Sequence, residues 1–313
     1  MKKIFFISLL LYAAIEALPH PWKPAHYVII DTDGGIDDIR SLSMMLASPD
    51  VRVLAVIASS GALSADNAFI KVRSLLNSFH HEGIPVGINR SRKTDPENMP
   101  PALKYKWGDE TGIDPLKASD YITVIDEIIK YNKSKIEFVC LGGLTTVSES
   151  IKRIPEIASR VKEIIWSCNG LNDTQGFNYL IDSGAAREIL AGDIPVKAVS
   201  AGINGVFFSS DFVKKIDKIN TRYAKTTALF LQSATAGEHA FSLQANDEMV
   251  PLYLHFPSLF KTSVEGKNTG CSPSDYNGLK DGYLKILKGE TVIKNQVLKV
   301  LPSDPDFYFD DIS

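Results

Sequence analysis

The chain has 313 residues, 44% of them hydrophobic and 23% charged, with a formal net charge of -3. Those proportions exclude collagen-like, coiled-coil and intrinsically disordered classes, because there is enough apolar material for a buried core. The slight acidic excess gives no basic field for nucleic acid or an anionic membrane. Three cysteines, Cys140, Cys168 and Cys271, exclude a disulfide-built scaffold and allow one bridge at most.

The chain opens with Lys2 and Lys3, then an uncharged apolar run from Ile4 to Ile15, then Ala17, Pro19 and Pro21. A basic start, a short apolar run and a small residue near its end predict a secretory signal peptide over residues 1–17. The run is shorter than the roughly 20 residues of a bilayer span. The mature protein is therefore expected to be exported, periplasmic or secreted, with no stable membrane insertion after processing.

Past the leader, short β-branched runs alternate with amphipathic stretches. The pattern predicts strands over Tyr27–Asp31, Val51–Ser59, Pro85–Ile88, Ile136–Leu141, Val161–Ser167 and Val196–Ser200. Helices are expected over Asp38–Ala47, Ala65–Phe79, Ser119–Asn132, Thr146–Ile154 and Ser183–Leu190. Unbroken apolar strands separated by helices imply an open, doubly wound, mostly parallel sheet covered on both faces. Arg90–Lys117 reads as a long loop over the sheet, of the kind that carries function. From Asn220 the pattern is helical, then irregular from Val264 to Tyr283, and the final FYFDDIS is a candidate edge strand. No linker divides the chain, so one α/β domain is expected over residues 25–313.

DTDGGIDD, from Asp31 to Asp38, stands where the first strand ends and the first helix begins. The carboxyl ends of parallel strands are where such sheets bind ligands. Gly34 and Gly35 permit a tight turn that folds Asp33, Asp37 and Asp38 toward one point. A helix N-terminus offers only about half an elementary charge, too little to balance them, so a divalent cation is the economical inference. All-oxygen donors favour calcium or magnesium over zinc. A phosphatase-type DxD loop fits less well, because Gly35 stands where that loop carries Thr or Val and the Asp37–Asp38 pair would have no use.

These residues resemble the DxDxGxDD motif of the inosine/uridine-preferring nucleoside hydrolases, calcium-dependent N-ribohydrolases on an open α/β fold. LGGLTTV (Leu141–Val147) is similar to that family's strand-end loop, GFNYLIDSGAAREIL (Gly176–Leu190) to its EFN…D…AA segment, and NDEMVPLYLHFP (Asn246–Pro257) to its HDP…A segment. The resemblance implies metal ligation by Asp33, Asp38, Asp247 and the backbone carbonyl of Leu141. It implies that a calcium-bound water attacks the anomeric carbon, with Asp33 as general base, through an oxocarbenium-like state. Asp37 and Asn178 would bind ribose hydroxyls of a small nucleoside or ribosyl substrate, and a homo-oligomer is a further implication.

The chain departs from the pattern at three places. Gly61–Ala62 replaces the Gly-Asn after the second strand, Gly176 replaces Glu, and Asn246 replaces His. Asn246 cannot protonate a leaving group. Asn172, Asp173, Gln175 and His239 are the nearby polar residues that could compensate, and Trp107 in the long loop could stack on a base. Two readings stay open at this level: an N-ribosyl hydrolase, and a metal-dependent ribose- or sugar-binding protein of the same fold.

Overall fold

A computed structural model describes residues 23–92, 97–201, 206–235 and 243–291. The leader, His239 and the FYFDDIS tail lie outside the described residues. Nine strands form one sheet: β1 (His26–Thr32), β2 (Val51–Ala58), β3 (Val86–Ile88), β4 (Ser119–Asp120), β5 (Ile136–Cys140), β6 (Val161–Ser167), β7 (Val196–Val199), β8 (Phe260–Glu265) and β9 (Asn268–Pro273). Their order is β4-β3-β2-β1-β5-β6-β7-β9-β8, parallel throughout except for β8 against β9. The predicted open, mostly parallel α/β sheet is what forms.

Period-two alternation divides the core into two layers. In β1, Val28 and Ile30 face one layer while Ile29 faces the other. The first layer holds α1 (Ile36–Ala47) and α2 (Ala65–Ser78), with α8 (Ser210–Asp217), α9 (Arg222–Thr235), α10 (Met249–His255) and α11 (Tyr276–Lys288). The second holds α3 (Tyr121–Tyr131), α4 (Thr145–Arg153), the short α5 (Ile157–Arg160) and α6 (Phe177–Ile181), and α7 (Ser183–Ala191). Side-chain caps mark several helix starts: Ser64 accepts from Asn67 N, and Asp182 from Ala185 N. Among the described residues, no helix is long and apolar enough to cross a membrane.

The region expected to be irregular from Val264 to Tyr283 is instead the β8–β9 hairpin followed by α11. Its strands were hidden because β8 lies at the sheet edge, exposed from Lys261 to Glu265, and carries no apolar alternation. The long loop contains two short 3-10 turns, Pro100–Lys104 and Pro115–Lys117. It is tied down by an interior cation. Lys71 on α2, only 3% exposed, donates to the carbonyls of Leu103 (3.0 Å) and Tyr105 (2.6 Å) and to Glu110 Oε1 (2.8 Å). Lys71→Met should cost on the order of 3 kcal/mol in chemical denaturation and open the loop to proteolysis. Unchanged protease sensitivity would separate the loop from Lys71.

All three cysteines are free. Ser167 is paired with Val199, and Val199 with Cys271, so β7 runs between Cys168 and Cys271. Two strand spacings are roughly 9–10 Å, beyond the roughly 7 Å limit for bridging.

At the opposite end of the sheet from the strand carboxyl ends, Glu137 accepts from His26 Nδ1 at 2.7 Å and from Lys162 Nζ at 2.8 Å. Burial alone would raise the Glu137 carboxyl, but His26 and Lys162 hold it below its usual value. A depressed carboxylate contributes stability above its unfolded pKa and loses it as pH falls through the folded one. The stability difference between wild type and Glu137→Gln should therefore be fully present above the ordinary glutamate range, about 4.3, and be lost as pH falls through the lower folded value. A difference independent of pH in urea titrations would contradict this.

Candidate active site

β1 separates strands that wind in opposite directions along the sheet, so the gap between the ends of β1 and β5 is a topological switch point. Here a cavity of about 230 Å³ opens, lined by Asp33, Asp37, Asp38, Asn178, Asn246 and Asp247 together with residues from the neighbouring loops. α1 begins at its floor. Gly35 gives this helix no side-chain cap, and Asp37 and Asp38 occupy its first turn, where the helix dipole favours negative charge. Gly34 takes φ +77°, and a side chain there would meet Ala68 at 3.0 Å, so the turn that gathers the carboxylates requires glycine.

Ligand oxygens of Asp37, Asp38 and Asp247 lie within 4.8 Å of one another. Asp38 Oδ1 accepts from Thr32 Oγ1 (2.7 Å) and from Asp33 N (3.1 Å), and Ser167 Oγ donates to Asp247 Oδ1. The Asp38 and Asp247 carboxyls face each other at this distance, which two ionised carboxylates resist unless positive charge lies between them. Burial, then the charges of Asp37 and Asp38, push Asp247 well above the usual carboxylate range, and burial and Asp37 raise Asp38. The site thus needs positive charge to ionise, and a hard divalent cation fits this all-oxygen donor set.

Asp33 is not in that trio. Its Oδ1 accepts from Gly35 N at 3.4 Å, while its Oδ2 is buried without a hydrogen-bond partner. Burial and the adjacent Asp38 push this carboxyl well up. Oδ2 nests between two glycines: an added Cβ would stand 2.1 Å from it at Gly61 and 2.9 Å at Gly142. Gly61→Ala is therefore expected to drive Asp33 aside at a cost of about 1–3 kcal/mol. A displacement of that kind lowers catalysis about 10²-fold, which steady-state kinetics would detect. Wild-type kinetics in this variant would mean that Asp33 is not held by that cradle.

Asn178 donates through Nδ2 to the carbonyls of Leu141 (2.6 Å) and Ser167 (3.0 Å). It joins α6 to the ends of β5 and β6, and one lone pair of the Leu141 carbonyl is thereby engaged. Asn246 Nδ2 donates to Asp37 Oδ2 at 2.9 Å. Of the nearby polar residues, Asp173 lines the cavity and accepts from Gln175 N (2.8 Å) and Gly176 N (3.2 Å). Asn172 instead pairs with Glu265 on the surface, and Gln175 is exposed. Trp107 is corrected: only 3% exposed, it stacks on Phe230 at 4.6 Å in the core and does not line the cavity. Apolar packing explains the residue without a base to stack on.

Several residues carried no signal in the sequence. Met99, Cys168 and Asn169 line the cavity from loops and Phe177 and Tyr179 from α6, and local pattern does not reveal that these segments converge. Beneath the floor, burial pushes Asp31 up to about 7, while Thr146 Oγ1 donates to it at 2.9 Å and Asn89 Nδ2 donates to Thr146 at 3.1 Å. Arg40 and Glu248 form a fully buried ion pair. Nothing in the local sequence marks either residue as buried.

An open, mostly parallel α/β sheet with an acidic cluster at its switch point is what the resemblance to nucleoside hydrolases implies, and comparison with known proteins agrees. Residues 28–298 match the family model described as inosine-uridine preferring nucleoside hydrolase. The chain belongs to that family. It is 23% identical over 254 residues to an inosine-uridine preferring nucleoside hydrolase of Leishmania major, covering 75% of this chain and 80% of that one. It is 25% identical over 283 residues to a pyrimidine-specific ribonucleoside hydrolase of Enterobacter sp. (strain 638), covering 80% and 88%. Among solved structures, a plant nucleoside hydrolase superposes with a TM-score of 0.66 at 19% identity, over 85% of this chain and 99% of that one.

Proposed function

We propose that this chain is a calcium-dependent hydrolase of the N-ribosidic bond of nucleosides or related ribosyl compounds. The observation that carries the reading is the clustering of Asp37, Asp38 and Asp247 beside Asp33, whose buried Oδ2 has no partner. Asp38 and Asp247, with Asp33 and the Leu141 carbonyl, would hold the ion. A calcium ion bound there supplies the charge that lets these carboxylates ionise, acidifies a neighbouring water and anchors ribose hydroxyls. Asp33 Oδ2 then takes the proton of the attacking water as general base. Asp37 accepts a ribose hydroxyl, and Asn178 orients another. The carboxylates also favour the positive sugar that develops as the bond breaks.

Leaving-group protonation is the step for which this chain has altered its equipment. Asn246 cannot give up a proton, and its amide is committed to Asp37. That observation favours a second reading, a metal-dependent ribose-binding protein without turnover. A panel of purine and pyrimidine ribonucleosides, assayed for free base with calcium and with a chelator, separates the two. Calcium-dependent base release supports the hydrolase. Calcium-dependent binding in calorimetry without release assigns the chain to the second reading, and the absence of both binding and release overturns both. The basic start and apolar run of residues 1–17 further support export, which N-terminal sequencing of the mature protein would check.

A further inference from the structure

The two halves of the carboxylate cluster come from distant parts of the chain. Asp37 and Asp38 open α1, while Asn246 and Asp247 lie in the turn before α10. Each half carries one member of an interior ion pair: Arg40 follows Asp38 by two residues, and Glu248 follows Asp247 directly. The side chains are 1% and 0% exposed. Arg40 Nε donates to Glu248 Oε1, Arg40 Nη2 donates to the Gln244 carbonyl at 3.0 Å, and Glu248 Oε2 accepts from Asn246 N at 3.0 Å. The guanidinium also lies over the rings of Phe208 (5.0 Å) and Phe230 (5.5 Å). One side chain of α1 thus grips the 244–248 turn at both ends.

Stability is a poor explanation for such a pair, because apolar residues of similar volume commonly replace a buried ion pair at no cost. Its geometry offers another. Three carboxylates crowded within 4.8 Å repel one another when ionised, and the two segments that bear them would separate unless something fixes their spacing. We propose that Arg40 and Glu248 are positioning residues, which hold Asp247 and Asn246 at a set distance from Asp37 and Asp38 and so preorganise the cation site. The inference rests on the reading of the cluster as a metal site.

The full chain, stripped with a chelator, provides the test. Calcium titration by calorimetry would compare wild type with Arg40→Met/Glu248→Leu and with Arg40→Lys, alongside thermal midpoints and kcat at saturating calcium. The double variant should keep its midpoint while its calcium Kd weakens about 10–100-fold, as supporting contacts around metal ligands do. Its kcat should be largely recovered at saturating calcium. Arg40→Lys keeps the charge but loses the fork to Gln244, and should weaken binding by a smaller factor. It serves as the deciding variant if the double one does not fold. Wild-type calcium affinity in a folded variant overturns the proposal. If wild type itself binds no calcium, the metal reading fails separately. Amide exchange at Asn246 and Asp247 then decides the positioning role, with faster exchange in the variants supporting it and unchanged exchange overturning it.

Discussion

Asp33→Asn is expected to lower the turnover of ribonucleoside hydrolysis by about 10²–10⁴-fold, the range that a positioned general base contributes. The substitution keeps the shape of the side chain and leaves the fold alone. Asn can still accept from Gly35 N through its oxygen, and the buried Oδ2 that hydrogen-bonds to nothing becomes an amide. What disappears is the ability to take a proton, together with one anionic ligand of the proposed ion, so the two proteins are compared at saturating calcium. A base role predicts a fall in kcat with substrate KM little changed and the thermal midpoint preserved. A fall in KM-linked affinity with kcat intact would instead make Asp33 a binding residue.

Asp247→Ala is expected to have the largest effect on cation binding. It removes one of three carboxylates within 4.8 Å and leaves Ser167 Oγ without its acceptor. Losing a ligand should weaken calcium binding by more than the roughly 10–100-fold that changes beyond the ligands cost. Activity should fall with it and return in part at high calcium. Because the cluster is repulsive when ionised, the metal-free variant should be no less stable than metal-free wild type, and calcium should protect only the wild type against heat. Equal thermal protection of both proteins by calcium would show that the ion binds elsewhere.

The parts of this molecule that were legible in the sequence share one property: their signal is local. Strands β1, β2, β5 and β6 each contain an apolar run of at least three residues, and α3 carries Ile122, Ile125 and Ile129 at helical spacing. The acidic cluster was legible because its first half occupies eight consecutive residues. The hairpin of β8 and β9 was not, because an exposed edge strand has no apolar alternation to read. Trp107 was misplaced for a related reason. An aromatic in a loop gives no sign of whether it faces solvent, ligand or core, and only the approach of Phe230 on α9 decides it. Arg40 and Glu248, 208 positions apart, are ordinary surface-type residues in sequence, and their burial follows from tertiary packing alone.

The strand that parts Cys168 from Cys271 has a practical corollary. The export proposed above would bring the chain into an oxidising compartment, where a protein faces a choice between native bridges and scrambled ones. Here β7 acts as a spacer, Cys140 is sealed in the sheet, and burial pushes the Cys168 thiol up to about 12, where little of it is a reactive thiolate. The folded protein should then form no bridge when held in a glutathione redox buffer, and should need no reductant in storage.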